Sequence, residues 1–187
     1  MSNKVFVMSA PAGAGKTTLA KLLIAQNASI ELVPTLTTRA CRPGEVSGVD
    51  YIFVSKEEFD RRIFSGDFVE YIELHGNYYG TSRSVIQEVL SRDKHVLLVI
   101  DSRGARVLKQ EFGATLIYIL PPSKEALRLR LEKRASEDIE VQKKRLAWGD
   151  IEIEDQGFFD FTVVNDQLKV AFEELQKIIH LCISGEE

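Results

Sequence analysis

Val5-Phe6-Val7-Met8-Ser9 is a short apolar run, and Ala10-Pro11-Ala12-Gly13-Ala14-Gly15-Lys16-Thr17 follows it directly and opens a helical pattern. A strand, a turn of small residues and a helix N-terminus in that order form the setting of a phosphate-binding loop. Gly13 and Gly15 carry no side chain to block the approach, so backbone N–H groups from Ala12 to Lys16 can surround phosphate oxygens. Lys16 adds a point charge for the β- and γ-phosphates, and the Thr17 hydroxyl is placed to ligate Mg²⁺. The first position of the loop is Ala10, where the strict pattern has glycine.

Outward from this loop, apolar runs alternate with helical patterns: Lys4 to Ser9 then Lys16 to Gln26, His95 to Ile100 then Ser102 to Phe112, Ala114 to Leu120 then Ser123 to Arg134. That order predicts an α/β fold with a central parallel sheet flanked by helices. A last helix over about 166–182 should pack on the sheet through Leu168, Ala171, Phe172, Leu175, Ile178, Ile179 and Cys182. The rhythm breaks between Thr35 and Thr81, where one helix is signalled by a capping box, Ser55 and Glu58. It breaks again from Arg130 to Asp155, where charge replaces apolar periodicity. The expected organisation is therefore one domain, with a core of 1–34, 82–125 and 156–187, an inserted substrate subdomain at 35–81 and a helical lid at 126–155.

The chain has 187 residues, 44% of them hydrophobic, enough to bury a sizeable core and to exclude a disordered or fibrous class. Its formal charge of -4 gives no overall attraction to polyanions, so no nucleic-acid partner is expected and phosphate-binding charge must be local. Cys41 and Cys182 fit neither a metal-ligand spacing nor a disulfide framework. With no signal-peptide layout and no stretch long enough for a bilayer, a cytoplasmic protein without a membrane partner is expected. His75, His95 and His180 share no motif spacing, and Trp148 reads as an aromatic anchor of the lid.

Within the insertion, Arg39 and Arg42 lie three residues apart with Glu45 just beyond, which suits a bidentate clamp for a second phosphate in which Glu45 steadies an arginine. Glu70 introduces a different chemistry. A guanine offers N1–H and an exocyclic amine as adjacent donors, which one fixed carboxylate can accept together, and adenine offers no such pair. Thr35 and Thr81 are placed to meet the carbonyl edge of the base.

These residues resemble the guanylate kinase family, and the match runs through nearly the whole chain. It is carried by Ala10 to Thr17, by Thr37-Thr38-Arg39 through Arg42-Pro43-Gly44-Glu45 to Gly48-Val49-Asp50-Tyr51, and by Glu70 through Gly76-Asn77-Tyr78-Tyr79-Gly80-Thr81. The resemblance implies a P-loop nucleoside-monophosphate kinase that moves the γ-phosphoryl of ATP to GMP with Mg²⁺, as a monomer or small homo-oligomer. It implies that Ala10, Pro11, Ala12, Gly13, Ala14, Gly15, Lys16, Thr17 and Thr18, with Asn165, bind ATP. It implies further that Arg39, Arg42, Tyr51 and Tyr79, with Glu45 beside them, hold the GMP phosphate, that Thr35, Glu70, Thr81 and Asp101 read guanine, and that lid arginines Arg134 and Arg145 join Lys16 and Arg39 in catalysis. The chain departs from the family pattern at Val99, at Lys133 and Ala135, and at Ser102-Arg103, where an apolar-Gln pair is usual. Two rival functions fit the same clamp: a kinase of another phosphorylated acceptor such as a ribose bisphosphate, and a catalytically inactive module that binds phosphopeptides.

Overall fold

A computed structural model describes residues 3–74, 76–133 and 155–185. Its main sheet has five strands in the order β2-β7-β1-β8-β9, formed by β1 (Val5–Ser9), β2 (Ile30–Leu32), β7 (His95–Val99), β8 (Thr115–Leu120) and β9 (Phe161–Val164). All neighbouring pairs are parallel. Helices cover both faces, which is why these strands read as continuous apolar runs instead of alternating ones. Val5 and Val7 point into one core with Val96, Leu98, Leu116 and Tyr118, while Phe6 and Met8 point into the other with Leu97, Ile117 and Ile119. Each such buried side chain contributes roughly 1.5–3 kcal/mol.

The core around Phe6 and Met8 is closed by α1 (Lys16–Gln26) and by the last helix, α6 (Leu168–Ser184). Ala171, Phe172, Leu175, Ile178 and Ile179 form the buried stripe of α6. Leu168, expected in that stripe, is 42% exposed, because it opens the helix beyond the edge of the sheet's cover. The core around Val5 and Val7 is closed by α3 (Arg83–Ser91) and α4 (Ser102–Phe112), the latter ended by Gly113 in the left-handed conformation. After β8, α5 (Lys124–Lys133) begins with Leu127 buried.

The insertion is more than an irregular stretch around one helix. It builds a second sheet, β4-β3-β6-β5, from β3 (Leu36–Thr37), β4 (Ile52–Phe53), β5 (Phe68–Leu74) and β6 (Asn77–Ser82). Strands of two residues leave no periodicity in a sequence, which is why β3 and β4 escaped the pattern. The helix α2 (Lys56–Phe64) packs Phe59 on Phe68, ring centroids 4.3 Å apart. Its capping box is half formed: Ser55 Oγ accepts the Glu58 N–H at 3.2 Å, while the Glu58 carboxylate turns to Arg61 and Arg62.

Since β1 is central and its C-terminal end lies beside that of β7, the phosphate loop and the Ile100-Asp101 turn emerge together on one edge. The insertion leaves the same edge after β2, so it overhangs that loop. Ligands of open α/β sheets bind in this crevice.

His95 gives a test of the sheet's packing. Its Nδ1 accepts the Lys4 N–H at 3.1 Å, which requires a neutral ring, and burial lowers its pKa below the ordinary histidine value, with the Lys4 charge adding to the shift. Below that ordinary value the unfolded chain takes the proton before the folded one does, so this contribution is present at neutral pH and is lost on acidification. Thermal unfolding followed between about pH 7 and 5 should show the melting temperature falling more steeply for the native protein than for His95→Gln.

Candidate functional site

The turn from β1 into α1 sets the donor side. Gly15 caps α1 at φ 94° and Gly13 has φ 91°, conformations that a side chain would strain. Ala10, where the strict motif has glycine, is buried and lies outside the positive-φ region, so alanine fits there without strain. Gly15 is also fixed by space: a Cβ there would collide with the side-chain amide of Asn165. That amide, 6% exposed, donates to the Ala14 carbonyl at 2.7 Å. Lys16 reaches across the crevice to donate to the Ile100 carbonyl at 3.3 Å.

On the facing side, Arg39 gives Nη2 to both oxygens of Glu45 at 2.8 and 3.0 Å and Nη1 to the Ala40 carbonyl at 2.7 Å. Its guanidinium lies over the Tyr51 and Phe53 rings, 5.2 and 5.6 Å from their centroids. Glu45 also accepts the Arg42 N–H at 2.8 Å. The hydrogen bonds between them hold the Glu45 carboxyl below its ordinary range and raise Arg39 further. Glu45 is thus the brace that shapes the loop. Tyr51 meets Tyr79 edge-on at 6.3 Å, and burial pushes the Tyr51 hydroxyl up.

Glu70 and Thr81 face each other in the β5–β6 register, and the Thr81 hydroxyl donates to Glu70 Oε1 at 2.6 Å. Burial raises the Glu70 pKa, the neighbouring Asp101 adds to the rise, and the Thr81 hydrogen bond opposes it. Asp101 caps α4 by accepting the Arg103 and Gly104 N–H groups on Oδ1, and its Oδ2 takes the Arg103 guanidinium. Gly104 has no Cβ because one would stand 3.1 Å from the Glu70 carboxyl carbon and 2.9 Å from Ile100.

One cavity of about 510 Å³ joins all of these. The sequence-predicted residues on its wall are Ala10, Pro11, Ala12, Gly13, Gly15, Lys16, Thr17, Thr35, Arg39, Arg42, Glu45, Tyr51, Glu70, Tyr79 and Asp101. Four others are not on the wall: Ala14 and Thr81 are fully buried, Thr18 is on the exposed side of α1, and Asn165 supports the loop from below. Arg134 and Arg145 lie outside the described residues, as do Trp148 and His75. Arg130, read as part of the lid, donates to the Asn165 carbonyl at 2.9 Å, and so ties α5 to the turn under the phosphate loop. Sequence reasoning missed Ile72 and Leu74, which line the wall as one face of β5. The period-2 alternation of that strand could have found them.

A phosphate loop at the centre of a parallel sheet, facing an arginine-braced pocket on an inserted sheet, defines an α/β P-loop kinase fold. Comparison with known proteins places the chain more closely. The guanylate kinase family model matches residues 2–181. The guanylate kinase of Chlamydia trachomatis serovar D is 46% identical over 176 residues, covering 94% of this chain and 86% of its own length. That of Protochlamydia amoebophila is 42% identical over 175 residues, covering 94% and 89%. The crystal structure of guanylate kinase from Anaplasma phagocytophilum aligns with a TM-score of 0.77 at 30% identity, over 96% of this chain and 85% of that one. The chain belongs to the guanylate kinase family. No helix of the described residues is long and apolar enough to cross a membrane.

The raised Glu70 pKa carries a stability consequence. The folded protein holds this proton more tightly than the unfolded chain, so stability falls as pH rises above the ordinary glutamate value. Glu70→Gln removes that penalty. In the absence of nucleotides it should melt at a higher temperature than the native protein at about pH 7.5, with the gap closing near pH 4. A variant that melts lower at both pH values would show that the carboxylate is needed for folding.

Proposed function

We propose that the chain transfers the γ-phosphoryl of ATP to GMP, giving ADP and GDP. The observation that carries this reading is the single cavity in which Lys16 of the phosphate loop, the Arg39–Arg42 clamp and the Glu70 carboxylate meet. The cavity offers one anion site to each of two phosphates and a base reader beyond the second.

The backbone N–H groups from Ala12 to Lys16 cradle the ATP phosphates, and Lys16 bears on the oxygens that gain charge as the γ-phosphoryl moves. Thr17 lines the cavity at the first turn of α1. Among the described residues no cluster of His, Cys, Asp or Glu could hold a metal by itself. The Thr17 hydroxyl, a hard oxygen donor on the cavity wall, would help hold Mg²⁺ arriving with the nucleotide. When bound, the ion neutralises phosphate charge and polarises the transferred group. Arg39, already oriented by Glu45, meets the GMP phosphate with Arg42, Tyr51 and Tyr79, and so aims an acceptor oxygen at the γ-phosphorus. That oxygen is anionic, so no general base is required. Glu70, its rotamer fixed by Thr81, accepts N1–H and the exocyclic amine of guanine, with Thr35 and Asp101 nearby. Arg134 and Arg145, in the 126–155 lid, would add charge on closure over the core of 1–34, 82–125 and 156–187 and the insertion of 35–81. Cytoplasmic location, action as a monomer or small homo-oligomer, and the absence of nucleic-acid and membrane partners complete the reading.

Steady-state kinetics of two variants test it. Lys16→Ala should lower kcat by at least about 10²-fold, the scale for removing one charge stabiliser. Glu70→Gln should raise the KM for GMP while leaving that for ATP near its native value, because a group that also donates cannot accept from both guanine donors. Near-normal turnover for the first, or equal losses for both substrates in the second, would contradict the assignment.

A further inference from the structure

The first turn of α4 brings a second carboxylate and a guanidinium into the acceptor cavity, and phosphate binding explains neither. Gly104 lets this turn close on Glu70, so Asp101 and Arg103 stand beside the base reader. Asp101 is held there by its own helix, since Oδ1 accepts the N–H groups of Arg103 and Gly104 at 3.1 and 3.0 Å. Its other oxygen, Oδ2, receives Arg103 through Nε at 3.3 Å and Nη2 at 2.8 Å. Two carboxylates in one partly desolvated pocket each raise the other's affinity for a proton, and an adjacent cation reverses the effect.

Among the described residues, the cavity's other cations are Lys16, Arg39 and Arg42, which lie on the phosphate loop and on the loop that Glu45 braces. β6 contributes the Thr81 hydroxyl and the Tyr79 phenol, Arg39 is committed to Glu45, and Lys16 points to the Ile100 carbonyl and the phosphate loop. We propose that Arg103 is a specificity-determining positioning residue of the acceptor site: by pairing with Asp101 it offsets the second negative charge of the base pocket, leaving Glu70 free to accept from both guanine donors. The Coulombic effects on Glu70 agree in sign, Asp101 raising its pKa and Arg103 lowering it. Arg103 thereby acts on base selection through Glu70. This role rests on the GMP-kinase reading.

The test uses the full-length protein and two variants, Arg103→Gln, which removes the charge, and Arg103→Lys, which keeps it without the two-point grip on Asp101. Glu70 is titrated by carboxyl ¹³C NMR without nucleotides, with Glu70→Gln to assign the signal, and kcat/KM for GMP is measured against pH at saturating ATP. In Arg103→Gln the Glu70 midpoint should move to higher pH, and the acid limb of the GMP profile should move with it. The loss should be confined to the acid limb and disappear on its alkaline side, each pKa unit of displacement costing up to about tenfold. The KM for ATP should stay near native, and Arg103→Lys should recover most of the midpoint. A Glu70 midpoint unchanged in Arg103→Gln, or a GMP loss independent of pH, would overturn the proposal. If the native protein did not use GMP at all, the function reading would fail, while the nucleotide-free titration would still decide whether Arg103 controls Glu70.

Discussion

The chain has to leave the middle of a buried parallel sheet and begin a helix with its first N–H groups turned toward an open crevice. Gly15, at φ 94° and pressed against Asn165, is where it does so. A non-glycine residue in such a conformation costs about 1–3 kcal/mol, and here the neighbouring amide leaves no room for a Cβ. The Asn165 hydrogen bond to the Ala14 carbonyl gives the loop a fixed floor, so its donors are oriented before any phosphate arrives. Such orientation is the greater part of what a phosphoryl-transfer site supplies. Arg130, bound to the Asn165 carbonyl, connects that floor to α5 and to the segment beyond it.

Across the crevice a different economy of charge operates. Overall the molecule is acidic, yet its cavity gathers Lys16, Arg39, Arg42 and Arg103 together with Glu45, Glu70 and Asp101. Arg39 is braced by a carboxylate at two points and by aromatic faces, so little side-chain freedom remains to be lost on binding. Glu70 stands at the opposite extreme. Burial raises its pKa more than the Thr81 hydrogen bond lowers it, so the pocket keeps a carboxylate in a setting that opposes its ionisation. Stability is given up where selectivity is needed, a pattern common to functional sites.

How far the sequence could be read differs between the two halves of the site. The phosphate loop was plain, because strand, glycines and helix are contiguous and each has its own local signal. The core strands β1, β7 and β8 were equally plain, since burial on both faces turns them into unbroken apolar runs. The second sheet was not, because β3 and β4 have two residues each and owe their existence to pairing with β6 and each other. Glu45 was legible as a brace from its place three residues after Arg42, whereas the support that Asn165 gives the loop depends on a contact spanning 151 positions. The approach of α4 to Glu70 through Gly104 is likewise a tertiary fact, and it sets Arg103 on the wall of the same cavity as Glu70.

The central claim is that one cavity aligns ATP with a guanine monophosphate and with no other acceptor. The most direct test is a coupled ADP-release assay with ATP, Mg²⁺ and GMP, AMP, CMP, UMP or a ribose bisphosphate supplied singly. The account predicts turnover with GMP and background rates with the others. Equal or faster turnover with another acceptor would overturn the role given to Glu70 while sparing the phosphate loop, and background rates with every acceptor would contradict the claim of catalysis itself.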